Sequence, residues 1–536
     1  MSVSSFNLID EPWLVVKDLK GAVRHISIKE AFRDAQNIHG LAGELPSQNF
    51  AVLRILLAIL YRVFDKKEHE NAVADWQYLW EQPSLPISPI EEYLEKWHHR
   101  FFLFDCEYPW FQVGDLESVN GDKKPVNLLI PDCPSDDSLF TMRRNYKSIS
   151  PAEAARWLIH CQAYDISGIK TGAVGDARVK SGRGYPIGPG WAGWMGGIAV
   201  TGDNLRETLL LNLVFSRNHS EYDLPIWEQP AMTAAERKDV QAHGQVELLT
   251  WPQRRIRLFL NTDGEVGKVL ICNGDPIAYQ FQDSHELMTG WRYSVPQSKK
   301  FKKSIYMPRE FDSEEVLWKG ISALLPTIGT EAAEASFKPC GVLEWSATLA
   351  QEGILPFSNV VRIETVGVVY GPQNASWEEI FSDELSFNVR LAAASGLAAK
   401  ETIYDAAERA TEAAKAVGRL AGDLSIAAGG DAEAQSVRGR IQAFSALDRL
   451  FREWLKDFNP EDDLELQLQR WTDTAREIIK KIGKQLVEEA GPAAWIGRRS
   501  TQSGVQRFYS TGVAEVRFRH SLFKAFPCFE PEKENK

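Results

Sequence analysis

ETIYDAAERATEAAKAVGRLAGDLSIAAGG, residues 401–430, carries one apolar stripe along an alanine-rich helix. Ile403, Ala407, Ala410, Ala414, Val417 and Ala421 recur at spacings of four and three, the signature of an amphipathic helix. Gly429-Gly430 ends it as a turn. Downstream, Val437, Ile441, Phe444, Leu447, Phe451 and Trp454 form a second stripe, and Leu464, Leu468, Trp471, Ala475, Ile478 and Ile482 a third. Asn459-Pro460 followed by Glu461, Asp462 and Asp463 reads as a helix start: a cap, proline at the first position, and acids against the positive dipole end. Val505, Phe508, Gly512, Val513, Val516 and Phe523 suggest a fourth helix. Four helices with short connections predict an all-α antiparallel four-helix bundle over 385–536.

Upstream the pattern changes. Trp13-Leu14-Val15-Val16 and Ile26-Ser27-Ile28 bracket the turn residues Lys20-Gly21, which fits a hairpin. Ser47 stands as N-cap before a helix over Gln48–Phe64, and a second helix covers Pro151–Ala163. Gly168 to Gly197 holds ten glycines and cannot be regular for long. Residues 245–310 read as strands, with tight turns at Thr262-Asp263-Gly264 and Asn273-Gly274-Asp275. Residues 1–384 are therefore expected to be a mixed α/β domain without regular strand–helix alternation, making the chain α+β with a helical C-terminal domain.

The length of 536 residues exceeds what one core sustains, and 44% apolar with 25% charged residues is ordinary for a globular protein. A net charge of −12 argues against an autonomous nucleic-acid binder, but leaves room for a small basic patch within a larger assembly. Seventeen tryptophans suit large cores or an interface-rich protein. The six cysteines are scattered without a C-x-x-C pair and read as free thiols of a reducing cytoplasm. The N-terminus lacks the features of a signal peptide, and the apolar run Leu53–Phe64 is too short to span a bilayer, so a cytoplasmic protein with no membrane partner is expected.

Enzyme signatures are missing. Gly264-Glu265-Val266-Gly267-Lys268-Val269 lacks the spacing and hydroxyl of a phosphate-binding P-loop. Gly188-Pro189-Gly190-Trp191-Ala192-Gly193 is a formal G-x-G-x-x-G, but proline and tryptophan fill it where a strand and helix should flank it. The sequence has no H-E-x-x-H and no G-x-S-x-G, and His98-His99 suits no common metal site. No catalytic residue, metal or cofactor is predicted; the protein reads as a non-enzyme.

Three basic stretches stand out from the acidic background. Arg178, Lys180 and Arg183 are interleaved with Gly175, Gly182 and Gly184, a composition that brings backbone N–H groups and cations close to phosphate or simply makes a solvated connector. Arg254, Arg255 and Arg257 lie on an expected strand, with Arg255 and Arg257 on one, solvated, face. Lys299, Lys300, Lys302 and Lys303 surround Phe301 in an expected loop.

The chain resembles the CasA family, the large subunit of the type I-E CRISPR complex Cascade. The resemblance rests on Phe6-Asn7-Leu8-Ile9-Asp10-Glu11-Pro12-Trp13-Leu14, Tyr108-Pro109-Trp110-Phe111-Gln112, Lys180-Ser181-Gly182 followed by Leu209–Leu213, and Tyr370-Gly371-Pro372-Gln373-Asn374-Ala375-Ser376, in that order along nearly the whole length. It implies a non-catalytic subunit that recognises the protospacer-adjacent motif in double-stranded target DNA, mainly through the minor groove, and promotes strand separation. Other Cascade subunits, crRNA, target DNA and a recruited helicase–nuclease are the implied partners. By the same resemblance, the groove-contacting loop falls at Gly175–Lys180, with Gly175, Ala177, Arg178 and Lys180 as its contacts. The strand-separating wedge falls at Gln373, Asn374 and Ala375, where either amide can take the tip. A crRNA-handle loop falls at Leu129–Arg143, including Leu129, Ile130, Phe140 and Arg143. Two departures stand: Asp176 puts a carboxylate beside the groove loop, and the family's lysine has no clear counterpart, Lys268 reading as a turn residue. The competing function classes are a metal-dependent nuclease or other hydrolase, and a scaffold subunit without DNA contact.

Overall fold

The computed structural model describes residues 6–65, 71–131, 133, 146–215, 220–237, 241–313, 316–326, 336–356, 360–393, 396–502 and 505–527. The chain divides into two compact units: Met1–Ser313 with Gly329–Leu355 and Arg362–Glu384, and Glu314–Ile328 with Pro356–Val361 and Leu385–Lys536.

In the first unit, strands Leu14–Asp18 and Val23–Ile26 pair antiparallel about Lys20-Gly21, where Gly21 takes φ 90°, and Ile38–Leu41 adds a third strand. The apolar helix Pro46–Phe64 runs through the core and packs on the helix Pro151–Tyr164. It is long and apolar enough to cross a membrane, yet 83% of that stretch is buried within the protein. Ser47 is not its cap: proline occupies the first turn, and the buried Ser47 hydroxyl is 2.9 Å from His160 Nε2. Two sheets position the site described below. Arg254–Leu260 and Val266–Asn273 form a hairpin whose turn uses Gly264 at φ 80°, and Val360–Tyr370 is flanked by Trp377–Asn388 and Gly197–Thr201.

Several local expectations fail here. Asn273-Gly274-Asp275 makes no hairpin; it ends a strand and places Asp275 where Arg255 and Arg237 both bind it, at 2.6 and 2.8 Å. Lys268 lies within the strand Val266–Asn273, not in the turn. Arg254 and Arg255 are buried, 0% and 1% exposed, so the arginine strand is internal and ion-paired rather than a solvated face. Alternation alone could not show this, because both faces of that strand are covered. Lys299 and Lys300 sit in the last turn of a short helix, Val295–Phe301, where cations face the negative dipole end. Nine of the seventeen tryptophans are among the largest fully buried side chains, so most of that excess is core.

The second unit is a run of long helices, Leu397–Ala428, Ala432–Asp457, Leu464–Glu488 and Thr511–Ala525, the first packing against each of the other three. Its alanine face permits close approach: a Cβ on Gly418 would stand 2.7 Å from Ser436 O, and one on Gly439 3.0 Å from Ala421 Cβ. Asp431 caps the second helix after the glycine turn, whose Gly429 has φ 94°. The second stripe is only half right, since Val437 and Ile441 are 40% and 61% exposed while Gly439, Ala443, Leu447, Phe451 and Leu455 are buried. The third helix begins later than Asn459-Pro460: Asp463 caps it through a 3.0 Å bond from Leu466 N, and Asn459 closes the preceding turn. Val505–Tyr509 is a strand paired with Arg498–Gln502 rather than part of a fourth helix, which starts at Thr511.

Candidate nucleic-acid interface

The glycine-rich segment is a hairpin. Lys170–Thr171 pairs with Arg183–Gly184, and Lys180 and Arg183 exchange both backbone hydrogen bonds, 3.0 and 3.1 Å, around Ser181 (φ 52°) and Gly182 (φ 72°). Two central residues with positive φ make the primed turn that matches strand twist. The loop is seated by Ala173, buried in an apolar cluster with Val113, Leu116, Leu270 and Cys272. Gly175, at φ 90°, then turns the chain outward, leaving Gly175, Ala177, Lys180, Ser181 and Arg183 exposed.

Asp176 does not confront this surface. Its buried carboxylate accepts from Arg178 N, Nε and an Nη, each at 2.9 Å, while Arg178 also pairs with Glu236 at 2.9 Å and donates to Asn273 O at 3.3 Å. Burial raises the Asp176 carboxyl, but the bonds from Arg178 outweigh it and hold it below the usual range. Arg178 is thus neutralised as a clamp within the loop. The exposed cations are Lys180 and Arg183.

The second loop is also a primed turn. Between Tyr370 and Trp377, Gln373 (φ 59°) and Asn374 (φ 56°) form its centre, and Ala375 N donates to Pro372 O at 3.3 Å. Left-handed backbone costs a non-glycine residue about 1 kcal/mol or more, least for asparagine. Gln373 and Ala375 are exposed; Asn374 is half-buried, its carbonyl held by Ser167 N at 2.7 Å. Gln373 is therefore the amide at the tip.

Both loops are held by the segment after the helix Pro151–Tyr164: the glycine hairpin continues from it, and the second turn is hydrogen-bonded to it through Ser167 N. Arg254 donates to Asp165 Oδ2 (2.5 Å), Ile166 O (2.9 Å) and Gly188 O (2.8 Å), and so ties together the two ends of the glycine hairpin. Lys170 completes the anchor on Asp165 at 2.7 Å. Burial pushes the Asp165 carboxyl up, but Lys170 and Arg254 overcome this and hold it below the ordinary range. A depressed carboxyl contributes stability that is present above its unfolded value and lost as pH falls through its folded one. Acid unfolding should therefore weaken the wild type below about pH 4 more steeply than Asp165→Asn, which has no carboxylate there to protonate. Equal slopes would place the acid sensitivity elsewhere.

The G-x-G-x-x-G stretch packs against this anchor. A Cβ on Gly190 would lie 2.3 Å from Ala163 C, and one on Gly193 2.1 Å from the Tyr370 hydroxyl, so these glycines admit backbone and ring contacts. Leu129 and Ile130 are core residues, 2% and 4% exposed, and as folded offer no surface to an RNA; Phe140 and Arg143 lie outside the described residues. From Pro109 to Gln112 the next motif is internal as well, with Trp110 stacked on Trp227 and Gln112 Oε1 accepting from Leu258 N at 2.8 Å. Asp165, Ser167, Arg254 and Tyr370 had no local signal marking them as the site's supports, because their partners are remote in sequence. Among the described residues, no three His, Cys, Asp or Glu side chains converge as a metal-ligand set.

The sequence profile of CRISPR-associated protein Cse1 matches residues 7–482. CRISPR-associated protein CasA/Cse1 of Thermus thermophilus is 31% identical over 346 residues, a match spanning 62% of this chain and 62% of that protein's length. The crystal structure of Thermobifida fusca Cse1 shares the fold with a TM-score of 0.87 at 39% identity, over 98% of each chain. A chain described as a CRISPR RNA-guided surveillance complex shares the fold at 17% identity, with a TM-score of 0.66 over 90% of this chain and 99% of that one. The chain belongs to the CasA/Cse1 family of CRISPR-associated proteins.

Proposed function

We propose that this chain is the non-catalytic large subunit of a type I-E CRISPR surveillance complex, reading the protospacer-adjacent motif in duplex DNA and opening the strands beside it. The observation that carries this reading is the joining of two exposed primed turns on one buried anchor. The glycine hairpin offers Gly175, Ala177, Lys180 and Arg183 to the minor groove, where backbone approaches closely and cations meet phosphate. The minor groove distinguishes little beyond A·T from G·C, which suits a motif reader while crRNA pairing supplies the sequence specificity. Gln373 at the tip of the second turn is the wedge, with Asn374 and Ala375 completing it; unstacking a base step costs a few kcal/mol, and a held wedge lowers that barrier. Arg178 shapes the groove loop rather than binding phosphate. Other Cascade subunits, crRNA and a recruited helicase–nuclease complete the assembly.

With a net charge of −12, the isolated chain should bind duplex DNA weakly and lose that binding as salt rises. In the assembled complex, Gln373→Ala with Asn374→Ala should slow strand separation on a fully paired target roughly tenfold (about 1.4 kcal/mol), a part of the cost of unstacking one base step. Unchanged target binding and opening in that double variant would remove the wedge assignment. Metal-stimulated cleavage of DNA by the purified chain would instead favour a nuclease.

A further inference from the structure

Resting on that reading of the wedge, we infer that Tyr370 and Gly193 form a latch that orients the Gln373-Asn374 turn relative to the glycine hairpin. Tyr370 is the last residue of the strand entering the turn, and its hydroxyl donates to Tyr164 O at 2.6 Å, at the end of the helix Pro151–Tyr164. That carbonyl lies in the last turn of the helix, where intrahelical donors run out, so the phenol supplies a bond the helix cannot. Trp377, the first residue of the returning strand, packs on Tyr370 with ring centroids 5.3 Å apart and on His160 at 5.7 Å. His160 in turn stacks on Tyr164 at 5.2 Å. Both sides of the turn's root are therefore gripped by one helix end, and three residues beyond it Ser167 N holds the tip through Asn374 O.

Gly193 is what lets the phenol in. A Cβ there would meet the Tyr370 hydroxyl at 2.1 Å and its Cζ at 2.9 Å, closer than real contacts allow. The same short stretch sends Gly188 O to Arg254 and Gly190 N to Asp165 O, so the glycine pattern joins the wedge root to the groove-loop anchor. The wedge and the groove loop accordingly keep a set separation, which a duplex gripped at one and opened at the other requires. Tyr370 is a positioning residue: it acts through Gln373.

The test uses the assembled complex with crRNA, comparing a fully paired target with one already unpaired over the first base steps beside the motif. Tyr370→Phe removes one hydrogen bond and should slow opening of the paired target roughly fivefold (about 1 kcal/mol), leaving the pre-opened target within twofold. Gly193→Ala should be more severe on the paired target, and adding Tyr370→Phe should recover part of the loss by removing the clashing oxygen. Wild-type opening by Tyr370→Phe, or equal slowing on both targets, overturns the latch. The Gln373→Ala, Asn374→Ala variant separates the two ideas. If it slows only the paired target while Tyr370→Phe does not, the latch alone fails; if it slows neither target, the wedge reading beneath it fails.

Discussion

Arg254→Met is expected to lower the stability of the first unit by about 3–5 kcal/mol and to abolish target binding by the assembled complex. Arg254 is 0% exposed, and its guanidinium serves Asp165 Oδ2, Asp165 O, Ile166 O, Gly188 O and Gln253 O. Methionine fills a similar volume with no donors. It leaves Asp165 with Lys170 alone and strands several buried carbonyls, each an unsatisfied group in low dielectric. Because two of those carbonyls lie at opposite ends of the glycine hairpin, the hairpin is also released from its base, and on the proposed function target binding is lost with it. Arg254→Lys restores the charge but not the planar fork, and should recover less than half of the stability. Urea unfolding followed by tryptophan fluorescence measures the first effect and a target-binding assay the second. A variant of near-wild-type stability with normal binding would show that the anchor is dispensable.

The second large effect lies on the core helix. Arg54→Met should also destabilise the first unit by about 3–5 kcal/mol. Arg54 meets Glu286 with two parallel bonds, 3.0 and 2.9 Å, and the two side chains are 3% and 1% exposed. Trp191 Nε1 and Met288 N already bond the same carboxylate, at 2.7 and 3.0 Å. Those neutral donors cannot balance a buried negative charge, so losing the arginine leaves it uncompensated. Combining Arg54→Met with Glu286→Gln removes the charge and keeps an acceptor for Trp191, and should recover most of the loss. A double-mutant cycle by urea unfolding reports this as a coupling energy, and additive single effects would show that the pair is not what holds the helix.

Features with a short repeat are legible in the sequence itself. The Ile403–Ala421 stripe, the Lys20-Gly21 and Thr262-Asp263-Gly264 hairpins and the helix from Pro151 all formed where periodicity and turn residues placed them. Element ends were less legible. Asn459-Pro460 carries every helix-start signal, yet Asp463 is three residues before Leu466 N and makes the cap. Val505–Tyr509 has an apolar spacing compatible with a helix but finds a strand partner in Arg498–Gln502.

By itself, the sequence determined the change from a mixed region to a helical one and the family resemblance along the chain, which singles out the two loops Gly175–Lys180 and Gln373–Ala375. Only the tertiary structure decided which of their side chains are exposed and what holds them. Arg254 reads as one more surface cation until Asp165, 89 residues away, is folded onto it, and Arg178 reads as a phosphate contact until Asp176 and Glu236 close around it. Tyr370 meets Tyr164 O across 206 residues, and the Gly188–Gly193 pattern acquires its purpose only from that meeting. The reason is physical. Helix and turn signals are properties of neighbours along the chain, whereas the charge state of a buried side chain and the clearance around a glycine belong to whatever the topology brings against it.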